Sequence, residues 1–195
     1  MKMSIEQFVV EVLKIQDGAI IKKLSDCGEI IHLKKSEILF HQDYEPEYIA
    51  FLLNGIMRSF VVAEKGSDST ECFDYEFGCP VVPSIPMNAP ASVNIEAETD
   101  SDLILFPVDE VMELIHTNVE ISTLYNNLMC RSMQRFVRLA RVLSQYTAAQ
   151  RYEWFLTEYA PLDGKVSNKA IASYLNMSPV TLSHVRKEYK KVYQK

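Results

Sequence analysis

The chain has 195 residues, 48% of them hydrophobic, and a formal net charge of −6. That length supports a real core in one or two domains, and no apolar run approaches the roughly 20 residues that cross a bilayer. Met1-Lys-Met-Ser leads into an amphipathic stretch rather than a signal peptide, so a cytoplasmic protein without membrane association is expected.

In chain order, Ile5, Phe8, Val9, Val12 and Leu13, then Ile20, Ile21 and Leu24, recur at helical spacing, with Gly18 separating two short helices. From Glu29 the texture becomes β: Ile30, Ile31 and Leu33 are followed by Ile38, Leu39 and Phe40. Asn54-Gly55, between the apolar runs 48–53 and 56–62, predicts a hairpin, because both residues tolerate positive φ. Lys65-Gly-Ser-Asp-Ser reads as a polar loop and Thr70 to Phe77 as a strand. Val93 to Ala97 alternates, and Asp102 to Phe106 closes the series before Pro107. Short strands at this spacing predict a sandwich or jelly roll rather than a parallel sheet. Gly78 to Ser92 holds four of the eight prolines and cannot be a central strand. It either lines a pocket or simply caps the β domain.

Val108 to Ile115 reads as a short helix, and Asn118 to about Tyr146 as a long one, with Ile121, Leu124, Leu128, Phe136, Leu139, Ala140 and Leu143 at three- and four-residue spacings. At ~1.5 Å per residue it would span about 40 Å, more than a domain of this size needs for its own core, and a dimer seam is expected. Arg131, Ser132 and Arg135 interrupt that seam, and Arg131, Arg135, Arg138 and Arg141 form a stripe expected to be solvated. The cysteines Cys27, Cys72, Cys79 and Cys130 are scattered without a Cys-x-x-Cys pair, so buried thiols rather than a metal site or disulfides are expected. The four histidines are also far apart.

The end of the chain is the most specific part. Ile171, Ala172 and Leu175 give one short helix an inward stripe; Asn176-Met-Ser forms a turn; Leu182 and Val185 do the same for a second helix. Ser178 is placed to cap that helix and Pro179 is pre-set for its first position. Its outward face carries Thr181, Ser183, His184 and Lys187, the arrangement a DNA major groove accepts. An ordinary helical hairpin with a solvated face is the competing reading. From Gly164 to Lys195 seven Lys or Arg stand against one acid, a local +6, so residues 1–163 sum to −12. A basic end on an acidic body points to a polyanion partner for that end alone.

A jelly roll, a long helix and a C-terminal helix-turn-helix, in that order, resemble the Crp/Fnr superfamily of bacterial transcription regulators. The resemblance rests on Thr147-Ala-Ala-Gln-Arg-Tyr-Glu-Trp-Phe-Leu, on 171–187, and on Phe40-His-Gln-Asp, Ile49-Ala-Phe-Leu-Leu-Asn-Gly and 92–101 in the β domain. It implies an α+β fold with a sensor jelly roll over 1–115, a dimerisation helix over 116–146 and a helix-turn-helix domain over 147–195. Relatives that bind cyclic AMP carry a Gly-Glu-Leu segment and an Arg-Ser pair; here those elements read Gly78-Cys79-Pro80 and Ala91-Ser92. Both charged ligands are missing, so cyclic AMP binding is not expected. Cys27 alone does not make the N-terminal cluster of the iron–sulfur members, and no haem ligand pair stands out, so no cofactor is assigned.

Three readings of the sensor stay open. An unknown small, apolar effector could be lined by Phe77, Gly78, Cys79, Val81, Val82, Ala91 and Ser92, with Ile85, Met87 and the long-helix residue Phe136. Cys72 and Cys79 could sense oxidants. Or the domain is a ligand-free scaffold. At the DNA end, the resemblance places Pro179, Val180 and His184 where relatives carry base-reading Arg and Glu, which implies an altered operator. Lys169, Ser178, Thr181, Ser183 and Lys187 are the phosphate or edge contacts it implies. A homodimer on a pseudo-palindrome of double-stranded DNA is expected, with 160–164 facing RNA polymerase by analogy. No catalytic constellation stands out. The rival is a cupin-like jelly-roll enzyme or small-molecule-binding protein, for which His32 and His41 are the β-region histidines.

Overall fold

The computed structural model describes residues 3–62, 66 and 68–193; Lys65 and Ser67 of the expected polar loop, and Lys195 of the basic tail, lie outside the described residues. Two four-stranded sheets follow two short helices. α1 (Ile5–Glu11) opens on a reciprocal capping box between Ser4 and Gln7, and α2 (Gly18–Cys27) on the Asp17 side chain, which accepts from Ala19 and Ile20. Gly18 is therefore the first residue of α2, and the separation is made by 12–17, where Lys14 has φ 61°.

The strands are β1 (Glu29–Leu33), β2 (Ile38–Phe40), β3 (Tyr48–Asn54), β4 (Met57–Val62), β5 (Asp68–Asp74), β6 (Pro80–Val81), β7 (Asn94–Ala97) and β8 (Ser101–Pro107). One sheet has the order β1-β8-β3-β6 and the other β2-β7-β4-β5. The expected hairpin at Asn54-Gly55 does not form: β3 pairs with β8 and β6, while β4 lies in the other sheet. The positive φ does occur, at 101° on Gly55, but it carries the chain from sheet to sheet. A Cβ there would lie 2.1 Å from Ser101 Oγ, which itself accepts from the Ile56 amide at 3.2 Å. The local pattern could not choose the partner because 49–52 are buried on every side, 0–5% exposed, so alternation gave no free face to pair.

Alternation along β3 and β8 splits their side chains between two cores. Ile49, Phe51, Ile104 and Phe106 join Phe8, Val9, Leu24 and Leu114 under the helices. Ala50, Leu52, Leu103 and Leu105 point the other way, and are as fully buried. β5 ends at Asp74, so Glu76 and Phe77 fall in the turn before Gly78 (φ 76°) rather than in a strand. The proline-rich segment contributes only β6, at the sheet edge, where a missing N–H is tolerated.

α3 (Val108–Thr117) leads to α4 (Val119–Gln145), capped by Asn118 Oδ1 accepting from Ile121. Packing divides the chain differently from sequence order: Met1–Ser59 with Phe73–Arg131 forms one unit, and Phe60–Cys72 with Ser132–Lys195 the other. The long helix is therefore shared between units rather than standing between them. In the first unit α4 buries Ile121 and packs Leu124, Tyr125 and Leu128 on the core. In the second it buries Ser132 and Val142. On its opposite face Asn126, Cys130, Met133, Val137, Ala140 and Ser144 are exposed at alternating three- and four-residue spacing. Cys130 is thus exposed, and Cys27, Cys72 and Cys79 are only half-buried, against the expectation of buried thiols.

Candidate nucleic-acid interface

The second unit is built on aromatic packing. α5 (Ala148–Glu158) begins on a capping box between Thr147 and Gln150 and buries Tyr152 and Phe155. Trp154, Phe155, Tyr159 and Tyr174 form a cluster with ring centroids 5.5–6.3 Å apart. Tyr174 donates its hydroxyl to Tyr159 at 2.8 Å, and burial pushes its own ionisation far up.

α6 (Asn168–Tyr174), capped by Ser167, buries Ala170, Ile171 and Ala172 together with Tyr174. It stops because Asn176 takes the left-handed conformation (φ 49°). The amide of Met177 then reaches the Ala172 carbonyl at 2.9 Å and that of Asn176 the Ser173 carbonyl at 2.9 Å, a Schellman closure. Arg151 Nη1 donates to the Leu175 and Asn176 carbonyls and ties the turn to α5. α7 (Pro179–Tyr193) starts on Ser178 Oγ, which accepts from the Thr181 amide at 3.0 Å.

On α7, Leu182 is 1% exposed and Val185 half-buried. Ser178, Pro179, Val180, Ser183, His184, Lys187 and, on α6, Lys169 are all exposed; Thr181 is half-buried, and its hydroxyl bonds Ser178 Oγ at 2.8 Å. Asn168, Pro179, Ser183, Arg186, Lys187 and Lys190 line a concavity of ≈ 170 Å³ on this face.

The basic tail is less free than its charge suggests. Arg186 turns inward: Nε donates to Tyr152 Oη at 3.1 Å, Nη2 to Asp163 at 2.6 Å and Nη1 to Asn168 Oδ1, with the guanidinium 5.5 Å from the Tyr152 ring centre. Lys191 pairs with Glu188 at 2.7 Å, and Lys169 with Asp68 of β5. Among the described residues of α7, Lys187 and Lys190 carry no ion pair. Sequence reading missed Arg186 and Arg151 as braces, and Asp68 altogether; their partners lie 18 to about 100 residues away, where no local spacing can show them. In the α4 stripe, Arg138 is paired with Glu158 at 2.6 Å.

The residues expected to line an effector pocket are dispersed. Phe77 is 55% exposed and rests edge-on against Phe8; a Cβ on Gly78 would meet Val12 Cγ1 at 2.5 Å. Val81 and Ala91 are buried, Cys79 and Val82 half-buried, Ser92 exposed. Phe136 lies in the second unit, in a narrow cleft with Glu71, Cys72, Arg135, Leu139, Tyr159 and Tyr174. In the first unit a wholly apolar cavity of ≈ 50 Å³ lies among Leu13, Ile15, Phe51, Met87, Leu114 and Tyr125; of the residues expected to line an effector pocket, Met87 alone is among its lining. His32 is paired with Asp102 at 2.8 Å, and His41 sits edge-on to Tyr44.

Residues 30–118 match the cyclic nucleotide-binding domain family. No curated protein sequence matches the chain. Among solved structures, FixK2 from Bradyrhizobium japonicum is 17% identical, with 84% of this chain and 85% of that one aligned at a TM-score of 0.76. A protein assigned to the crp/fnr family of transcriptional regulators from Eubacterium rectale is 19% identical over 91% and 84% of the chains, at 0.72. A CooA variant from Carboxydothermus hydrogenoformans is 16% identical over 98% and 86%, at 0.70. The chain has the Crp/Fnr fold.

On this Crp/Fnr frame, Gly78–Ser92 lies within the matched residues 30–118. The segment contains no charged residue. Its Ala91 amide is donated to the Tyr44 carbonyl at 2.8 Å, and the Ser92 amide and hydroxyl both go to the Pro83 carbonyl, at 2.9 and 3.1 Å. Arg58, buried in β4, is already paired with Glu96 at 3.2 Å.

Proposed function

We propose that the chain is a homodimeric, sequence-specific DNA-binding transcription regulator of the Crp/Fnr type, acting in the cytoplasm, whose jelly roll does not bind cyclic AMP and which carries out no catalysis. The observation that carries this reading is the outward face of α7: Val180, Ser183, His184 and Lys187 all exposed on a helix braced from behind by Arg186 and Leu182. Such a helix offers base-edge donors and an unpaired ammonium to a groove without any rearrangement. The partner is double-stranded DNA, read by two copies about one helical turn apart, roughly 34 Å. The exposed stripe from Asn126 to Ser144 keeps a 3–4 repeat that matches a parallel helix pair, and this is the seam the second copy would cover. The 3-10 turn Ala160–Leu162 and the loop after it would face RNA polymerase in an activator.

Binding to genomic fragments across a salt series tests the reading. A dimer making several phosphate contacts should lose affinity steeply between low and moderate salt. Lys187→Ala should weaken all sequences nearly equally, and His184→Ala should shift sequence preference. Salt-independent or absent binding, or two silent substitutions, would refute the assignment of α7.

A further inference from the structure

Within the second unit, β5 meets α6. Among the described residues β5 is the end strand of its sheet, and no further strand lies along its outer edge. Ser173 takes that place. Its Oγ accepts from the Thr70 amide at 2.8 Å and donates to the Asp68 carbonyl at 3.3 Å, bonding two successive outward groups of the edge as a neighbouring strand would. One turn earlier on the same face of α6, Lys169 Nζ is ion-paired with the Asp68 carboxylate. The carboxylate side chain is only 19% exposed, whereas Lys169 is 68% exposed, so the anion is held in place and the cation comes to it.

We propose that this contact is a latch on the DNA-binding unit, in which Asp68 occupies the ammonium that a DNA phosphate would otherwise take. The proposal rests on the reading of Lys169 as a phosphate contact and adds how that contact is regulated. Carboxylate and phosphate compete for one Lys169 Nζ, and a form in which Asp68 holds it must give up that pair before the phosphate can be neutralised. Ser173 makes the competition effective: its two bonds fix the register of β5 on α6, so Asp68 is presented to Lys169 rather than swinging free in solvent. Released chains, with Lys169 turned to solvent, bind DNA more tightly than latched ones. The difference is set by the free energy of the Asp68–Lys169 pair, since a ligand shifts a two-state equilibrium only by its differential affinity for the two states.

The test is DNA affinity of the full chain, measured by fluorescence anisotropy on one fragment at one salt concentration. Asp68→Asn removes the charge and keeps the shape. It should tighten binding on the order of two- to fivefold, the range spanned by partly exposed ion pairs. In a Lys169→Ala background the same change should have no effect, because the gain passes through that ammonium. Ser173→Ala should both raise affinity and speed hydrogen exchange at the Thr70 amide, which loses its acceptor. If the unaltered chain binds DNA and Asp68→Asn binds no better, or if its gain persists without Lys169, the latch is wrong and the DNA-binding reading stands. If neither binds at low salt, the DNA-binding reading falls and the latch falls with it.

Discussion

Arg186→Met would remove the brace that holds α7 against α5 while keeping the apolar stem of the side chain. The guanidinium serves three acceptors, and their environments differ. Tyr152 is 3% exposed, so losing a charge-assisted bond to its hydroxyl costs about 1.5–3 kcal/mol. The Asp163 pair is 22% and 42% exposed on its two sides, which limits it to roughly 0.2–1 kcal/mol. The guanidinium over the Tyr152 ring adds about 0.5–1 kcal/mol. Part of this returns as hydration of the freed groups, leaving a loss of roughly 2–4 kcal/mol. The single tryptophan, Trp154, lies in the same unit, so its fluorescence reports the right transition in urea. For a slope of about 2 kcal/mol per molar, the midpoint should fall by roughly 1–2 M. DNA affinity should fall too, with the salt dependence unchanged, because the Arg186 guanidinium is committed to Tyr152, Asp163 and Asn168; Lys187→Ala should instead lower the slope by about 0.9. A midpoint within about 0.3 M of the starting chain, or a changed salt slope for Arg186→Met, would show that α7 is not positioned by this arginine.

Gly55→Ala should destabilise the first unit by roughly 2–5 kcal/mol in thermal unfolding, since it combines a strained φ of 101° with a Cβ 2.1 Å from Ser101 Oγ. A cost below about 1 kcal/mol would mean the sheet-to-sheet turn is not held there. Burial raises the Glu71 carboxyl above its ordinary range, so the folded chain takes up a proton at a pH where the unfolded chain has released it. The Glu71 contribution to stability is therefore greatest below the ordinary carboxylate pKa and is lost as pH rises through the raised value. Urea midpoints at Trp154 compared between the starting chain and Glu71→Gln across about pH 4 to 7 should differ by that decline, the starting chain losing stability relative to the variant as pH rises. Met133→Glu combined with Val137→Glu, both on exposed positions of α4, should yield monomers in sedimentation and abolish tight DNA binding. A dimer that survives both charges must be formed elsewhere.

The elements were readable because their causes are local. Ser4 with Gln7, Thr147 with Gln150, Ser167, and Ser178 before Pro179 are capping residues within a few positions of the amides they serve. Asn176 ends α6 through its own left-handed conformation. The exposed face of α7 followed in the same way from helical spacing, since Leu182 and Val185 could be buried only by turning His184 and Lys187 outward. Strand pairing was not readable. Where β3 is apolar on both faces, alternation no longer selects a neighbour, and Asn54-Gly55 looks like a hairpin whichever sheet the next strand joins.

Residue types and local periodicity therefore determined most of the segments that are helix or strand, the capped start of α7 and which side of that helix meets solvent, but not the start of α2 at Gly18 or the end of β5 at Asp74. Only the tertiary structure decided which strands share a sheet and that the unit boundary cuts α4. It also decided which cations remain available: Arg186 is bound to Tyr152, Asp163 and Asn168, and Lys169 to Asp68, while Lys187 faces outward. The reason is physical. Capping and amphipathicity act over one or two turns of chain, whereas the ownership of a charge depends on which distant segment packs beside it.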